Sequence, residues 1–155
     1  MKLIMLCGQG SSGKSYFASQ LKNKLKGSIC LVRMDDIVIE TGEYNLIEYI
    51  NRIQDGLDGN FDYVIMDLAQ DSALVRTGIL DMLNLKGKEI DFITFSLRPD
   101  IDVIIERQRK RQYPRELLPE VEEKLRRIYS FFEYPTNEEF EKYNFNSVSH
   151  FIRSE

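Results

Sequence analysis

The stretch GQGSSGKS, Gly8 to Ser15, follows the apolar run KLIMLC (2–7) and opens a segment where Phe17, Leu21 and Leu25 recur every four residues. It matches G-x-x-x-x-G-K-[ST] in full, in the strand-then-helix context that the motif requires. Glycines there let backbone N–H groups turn inward around phosphate oxygens with no Cβ in the way. A helix starting near Gly13 adds the positive end of its dipole. Lys14 brings a full charge to the β and γ phosphates of ATP, and Ser15 supplies a hydroxyl for Mg²⁺. Gly8, Ser11, Ser12, Gly13, Lys14, Ser15 and Tyr16 are the expected nucleotide-binding residues.

Three more apolar, β-rich runs follow: SICLVRM (28–34), DYVIM (62–66) and DFITFSL (91–97). They lack polar alternation, as strands covered on both faces do, which predicts a parallel sheet. Helical spacing lies between them, in Leu46, Ile47, Ile50 and Ile53 and again in Leu74, Ile79, Leu80 and Leu83. A further helix is expected from about Asp100 to Arg111, a break at Tyr113-Pro114, and a longer helix from about Pro119 to Phe132. YNFNSV (143–148) is the candidate fifth strand. The pattern predicts one P-loop NTPase-type domain over 1–155: three α/β/α layers, a central parallel sheet of about five strands and a helical lid. In such sheets ligands bind beyond the carboxyl ends of the strands.

The other candidate residues sit at those ends. The second strand runs into RMDD (33–36), where a carboxylate stands ready to take the proton of an acceptor hydroxyl. Asp35 and Asp36 both qualify there, and either also suits a helix N-cap. The third strand ends at Asp67, the Walker-B arrangement of apolar residues closed by a carboxylate that orients Mg²⁺. ERQRKRQYPR (106–115) is basic, and arginine forks suit the spread charge of a transferring phosphoryl group. Arg107 or Arg111 is the expected phosphate contact, with Arg109 and Lys110 solvated.

Charge and composition narrow the partners. The net charge is −4, so the chain as a whole does not attract nucleic acid or anionic lipid. The longest early apolar run is far short of a membrane span, and the start does not resemble a signal peptide, so a cytoplasmic location is expected. Cys7 and Cys30 read as small buried side chains, and His150, the single histidine, as a polar residue near a loosely held C-terminus. No obligate protein partner is readable.

With these residues in place, the chain resembles the P-loop kinases of the nucleoside/nucleotide kinase group. Its likeness is nearest to the bacteriophage-type 5′-hydroxyl polynucleotide kinase domain and covers roughly 1–132. GQGSSGKS, MDD, VIMD and LRPDIDVIIERQRKR carry the resemblance in the expected order. SSGKS is also similar to the loop of chloramphenicol-phosphotransferase-like enzymes, since polynucleotide kinases usually have glycine where Ser11 stands. The resemblance implies ATP and Mg²⁺, Lys14 and Ser15 at the phosphates, Asp35 as general base and Arg111 as the lid arginine. It also implies adjacent first and third strands, with Asp67 beside Ser15, an acceptor arm at about 36–60 and a lid at about 107–118.

The function expected is a phosphotransferase moving the ATP γ-phosphate to a hydroxyl, either on a small metabolite or antibiotic or on a nucleic-acid 5′ end. The basic segment 107–115 favours the nucleic acid. The acidic stretch 35–60, with seven acids and only Arg52 as a base, favours the small molecule. A GTPase-like switch would need an N-K-x-D guanine motif, and NLKGKE (84–89) fails it. A nucleotide-binding protein without catalysis is the remaining alternative.

Overall fold

Five parallel strands, β1 (Lys2–Cys7), β2 (Ile29–Arg33), β3 (Tyr63–Asp67), β4 (Asp91–Leu97) and β5 (Ser147–Arg153), form one sheet in the order β2-β3-β1-β4-β5. The computed structural model describes residues 1–111 and 117–154. Helices cover both faces: α1 (Lys14–Lys24), α2 (Met34–Thr41), α3 (Leu46–Asp58), α4 (Ala73–Asp81), α5 (Ile101–Arg111), α6 (Pro119–Ser130) and the short α7 (Asn137–Phe140). This is the three-layer α/β/α fold with a five-stranded parallel sheet that the apolar runs predict. No helix among the described residues is long and apolar enough to cross a membrane.

The sheet separates two cores. Leu3, Met5, Val64, Met66 and Phe92 point to one face and pack against Ile37, Tyr49, Ile53, Leu57, Ile79 and Leu80 of α2, α3 and α4. Ile4, Leu6 and Ile65, one residue out of phase, pack on the other face against Phe17 and Ala18 of α1. The two-residue period of a strand thus feeds both layers from the same apolar run. β1 is flanked by β3 and β4, and its chain leaves toward β2 while the chain after β4 leaves toward β5. The glycine-rich loop after β1 therefore lies where the strand order reverses, the usual ligand crevice of such sheets.

Two expectations need correction. The fifth strand is 147–153 rather than 143–148. Asn144 takes a left-handed turn at φ 55°, and the strand starts only after Asn146 N has bonded to Ile90 O. His150 is not loosely held. Its Nδ1 lies 2.8 Å from Thr94 Oγ1 on β4 and its Nε2 3.0 Å from Asn137 Oδ1, so it ties strand to strand and strand to α7. The expected break at Tyr113-Pro114 and Arg115 lie outside the described residues.

Candidate active site

The loop between β1 and α1 is built around close backbone approach. A Cβ on Gly8 would stand 2.6 Å from the Leu97 carbonyl oxygen, so only glycine fits without moving main chain. Gly13 sits at φ 100° and opens α1 with no side-chain cap, which leaves the first N–H groups of the helix facing out of the loop. Ser11 also takes a left-handed backbone, at φ 65°, a conformation that costs a residue with a Cβ about 1–2 kcal/mol. The Ser11 hydroxyl donates to Gln108 Oε1 of α5 at 2.9 Å. Ser12 Oγ is buried and has no hydrogen-bond partner among the described residues. Lys14 folds back over the loop, and its Nζ donates to the Gln9 carbonyl at 2.9 Å.

Because β3 pairs with both β1 and β2, Asp67 at its end lies in register with Leu6 on one side and Arg33 on the other. Ser15 Oγ donates to Asp67 Oδ2 at 3.0 Å. Arg33 Nε stands 3.8 Å from the same oxygen, while its Nη2 donates to the Ser15 carbonyl and to Ser19 Oγ. Burial pushes the Lys14 ammonium below its ordinary range, and the Asp67, Asp35 and Asp71 carboxylates act against that. Burial likewise raises the Asp67 carboxyl, opposed by Lys14, by the Ser15 hydrogen bond and by Arg33. Each group thus partly offsets the desolvation of the other. Oxygen donors of this kind suit a hard cation such as Mg²⁺, which takes one or two protein oxygens and completes its shell with water and phosphate. No cluster of three or more His, Cys, Asp or Glu side chains able to hold a metal occurs among the described residues.

Lys14, Ser15, Asp67 and Asp35 all line one cavity of about 320 Å³. Gly13, Ser11, Tyr16 and Arg111 line it too. Asp35 occupies the first turn of α2, where its charge complements the helix dipole, and Arg33 rather than either aspartate holds the N-cap position. Asp36, one residue on, is exposed and outside the cavity wall. A second cavity of about 390 Å³ adjoins the first, between Gly13 and Tyr16 on one side and Arg107, Lys110 and Arg111 on the other. Arg107 also donates from Nη1 to the Ser11 carbonyl at 3.3 Å. Lys110, expected to be solvated, belongs to this second wall, whereas Arg109 pairs with Glu106 and Glu122.

The cavity brings together groups that the sequence alone does not single out. Met34, Val38, Tyr44, Leu68 and Ala69 form its apolar side. Arg33 is the clearest omission, and its signal is that it ends β2 just as Asp67 ends β3. Gln9 is another: its side chain donates to the Leu125 carbonyl and holds α6 over the loop. Beyond β4, Arg98 stacks its guanidinium 4.1 Å from the Tyr129 ring and donates to the Tyr129 carbonyl, fixing the other end of α6.

Residues 1–138 match the model of the family described as chromatin associated protein KTI12. The chain belongs to the KTI12 family. Among solved structures, a gluconokinase from Sinorhizobium meliloti 1021 is similar at 15% identity and a TM-score of 0.53 over 96% of this chain and 82% of that one. The deoxyadenosine kinase of M. mycoides with bound dATP is 19% identical, with a TM-score of 0.48 over 99% of this chain and 91% of that one. No curated protein matches the sequence. The KTI12-family chain thus has the P-loop kinase-like fold.

Proposed function

We propose that this KTI12-family chain is an ATP-dependent phosphotransferase that moves the γ-phosphate to an acceptor hydroxyl. One observation carries the reading: the loop ammonium, the strand-end carboxylate beside a serine hydroxyl, and a second carboxylate on α2 converge on a single cavity. Phosphoryl transfer asks for little else, since its catalysis is mostly positioning and charge stabilisation.

In this mechanism the N–H groups from Gly8 to Ser15 enclose the phosphates of ATP, and Lys14 exchanges the Gln9 carbonyl for a phosphate oxygen. Ser15 and Asp67 would hold Mg²⁺, which supplies positive charge against the phosphate oxygens when bound. Tyr16 and Arg107 border the nucleotide from the second cavity, and Arg111 bridges both cavities and meets the transferring group. Asp35 accepts the hydroxyl proton as the acceptor oxygen attacks. The acceptor arm is the stretch of about 36–60 and the lid that of about 107–118, of which 112–116 lie outside the described residues. The basic end of α5 is what favours a polynucleotide-kinase-like acceptor, and the walls of the arm favour a small one.

Calorimetry of Mg-ATP against Mg-GTP, followed by ADP release with and without acceptors, tests the reading. Preferred ATP binding with acceptor-dependent turnover is expected. GTP preference with slow hydrolysis would point to a switch, and ATP binding without any turnover to a non-catalytic sensor.

A further inference from the structure

The cavity beside Lys14 has two unlike halves. Cations stand on the loop side, in Lys14 and in Arg111. Across from them Met34, Val38, Tyr44, Leu68 and Ala69 make an apolar wall in which Asp35 is set. Tyr44 is 63% exposed and Val38 38%, so this wall presents apolar surface that the core does not cover.

The arm behind the wall carries no available positive charge. Residues 36–60 include Asp36, Glu40, Glu43, Glu48, Asp55 and Asp58, against the single base Arg52. Arg52 is spent internally, with Nη2 2.6 Å from Glu40 Oε2 and Nε 2.8 Å from Glu48 Oε1. A phosphate or carboxylate on the acceptor would meet Asp35, the one acid of the stretch 35–60 that lines the cavity, with no base of the arm lining it to offset the repulsion. A nucleic-acid strand depends on Lys and Arg along its backbone path. Size points the same way: about 320 Å³ lies at the small end of ligand pockets and must also admit the terminal phosphate of ATP.

Resting on the phosphotransferase reading, we propose that the acceptor is a compact alcohol without phosphate or carboxylate, neutral or cationic, whose apolar group packs on Val38 and Tyr44 while its hydroxyl meets Asp35. In the transfer the acceptor oxygen bonds to the γ-phosphorus as the bond from that phosphorus to the β–γ bridging oxygen breaks. The bridging oxygen keeps the electron pair and leaves on ADP, and the hydroxyl proton passes to the Asp35 carboxylate. A cationic amine on the acceptor would be attracted by the Asp35 carboxylate.

The test uses the whole chain with Mg-ATP and three kinds of acceptor. These are a panel of amino alcohols and aryl alcohols (phenylalaninol among them), gluconate, and a 5′-hydroxyl oligothymidylate. Transfer of the γ-phosphate to at least one panel member is expected about tenfold or more above acceptor-free ADP release, with gluconate and the oligonucleotide near that background. Tyr44→Ala should raise KM for the active alcohol about 2–10-fold, the range of one aromatic contact, and Tyr44→Phe should restore most of the loss. Transfer to gluconate or the oligonucleotide at a comparable rate overturns the proposal. So does silence of the whole panel while calorimetry still registers Mg-ATP binding. Absence of Mg-ATP binding would instead overturn the phosphotransferase reading beneath it.

Discussion

Ser15 Oγ donates to Asp67 Oδ2 at 3.0 Å across 52 residues of chain, and the contact exists because β1 and β3 are neighbours in the sheet. In the proposed reaction Ser15 and Asp67 would hold Mg²⁺. Asp67→Asn removes the carboxylate charge there while keeping the shape. The Mg²⁺ concentration needed for half-maximal ADP release should rise about 10–100-fold, as when an orienting partner of a bound metal is removed. A magnesium titration of the variant checks it.

Lys14 Nζ donates to the Gln9 carbonyl, which a phosphate would replace in the proposed reaction. Lys14→Ala removes one preorganised charge, an effect worth about 3–4 kcal/mol or 10²–10³-fold in turnover. Steady-state ADP release under saturating ATP measures the loss. Turnover within about threefold of wild type would mean that the ammonium does not meet the transferring phosphate.

Asp35 and Asp36 are adjacent on α2, yet only Asp35 lines the cavity. Asp35→Asn should lower transfer about 10²-fold or more with little change in ATP affinity, as for a lost general base. Asp36→Asn should stay within about threefold, since an exposed side chain outside the wall meets no reacting atom. The reverse pattern in paired single-turnover assays would assign the proton to Asp36.

Arg76 is 0% exposed and pairs with Glu139 of α7, through Nε at 2.9 Å and Nη2 at 2.8 Å, and its Nη1 donates to the Gln70 carbonyl. Glu139→Ala would strand a buried guanidinium at a cost of about 3–5 kcal/mol. Urea denaturation should show that loss. Replacing both residues with Met and Leu should recover most of it, because well-packed apolar pairs often replace buried ions without penalty.

Burial lowers the His150 pKa below its ordinary 6.5. The folded state then binds the proton less well than the unfolded chain does, so stability is full above the unfolded value and falls as pH drops through 6.5 toward the folded pKa. His150→Gln should flatten that part of the profile. Denaturation midpoints at pH 7.5 and on the acid side of 6.5, compared between wild type and variant, isolate the contribution.

The loop and the sheet were legible because their signals are local. GQGSSGKS fills an eight-residue window, and an apolar run closed by Asp67 marks a strand end without reference to any distant residue. The apolar wall was not legible, since Val38, Tyr44 and Leu68 converge only when β2 and β3 pair and α2 turns back over them. Helical spacing also failed to say which of two neighbouring apolar residues faces inward. Ile47 and Leu74 fit their patterns and are largely exposed, while Tyr49, the residue just before the expected Ile50, is fully buried. The fifth strand is hidden by its own chemistry: SVSH reads as polar, because β5 is an edge strand whose Ser147 and His150 bond to Asp91 and Thr94 of β4 rather than a doubly covered one. Asp35 and Asp36 drew attention as carboxylates, but that α2 begins at Met34, and so turns one of them away, follows from the chain's path after β2.

The first helix begins at a glycine that offers it no cap. A phosphate docked on those N–H groups would finish the helix as a side chain finishes others, so the occupied protein should withstand heat and proteolysis better than the empty one. Part of the molecule's durability would then be set by the supply of its co-substrate, and a starved cell would clear idle copies first.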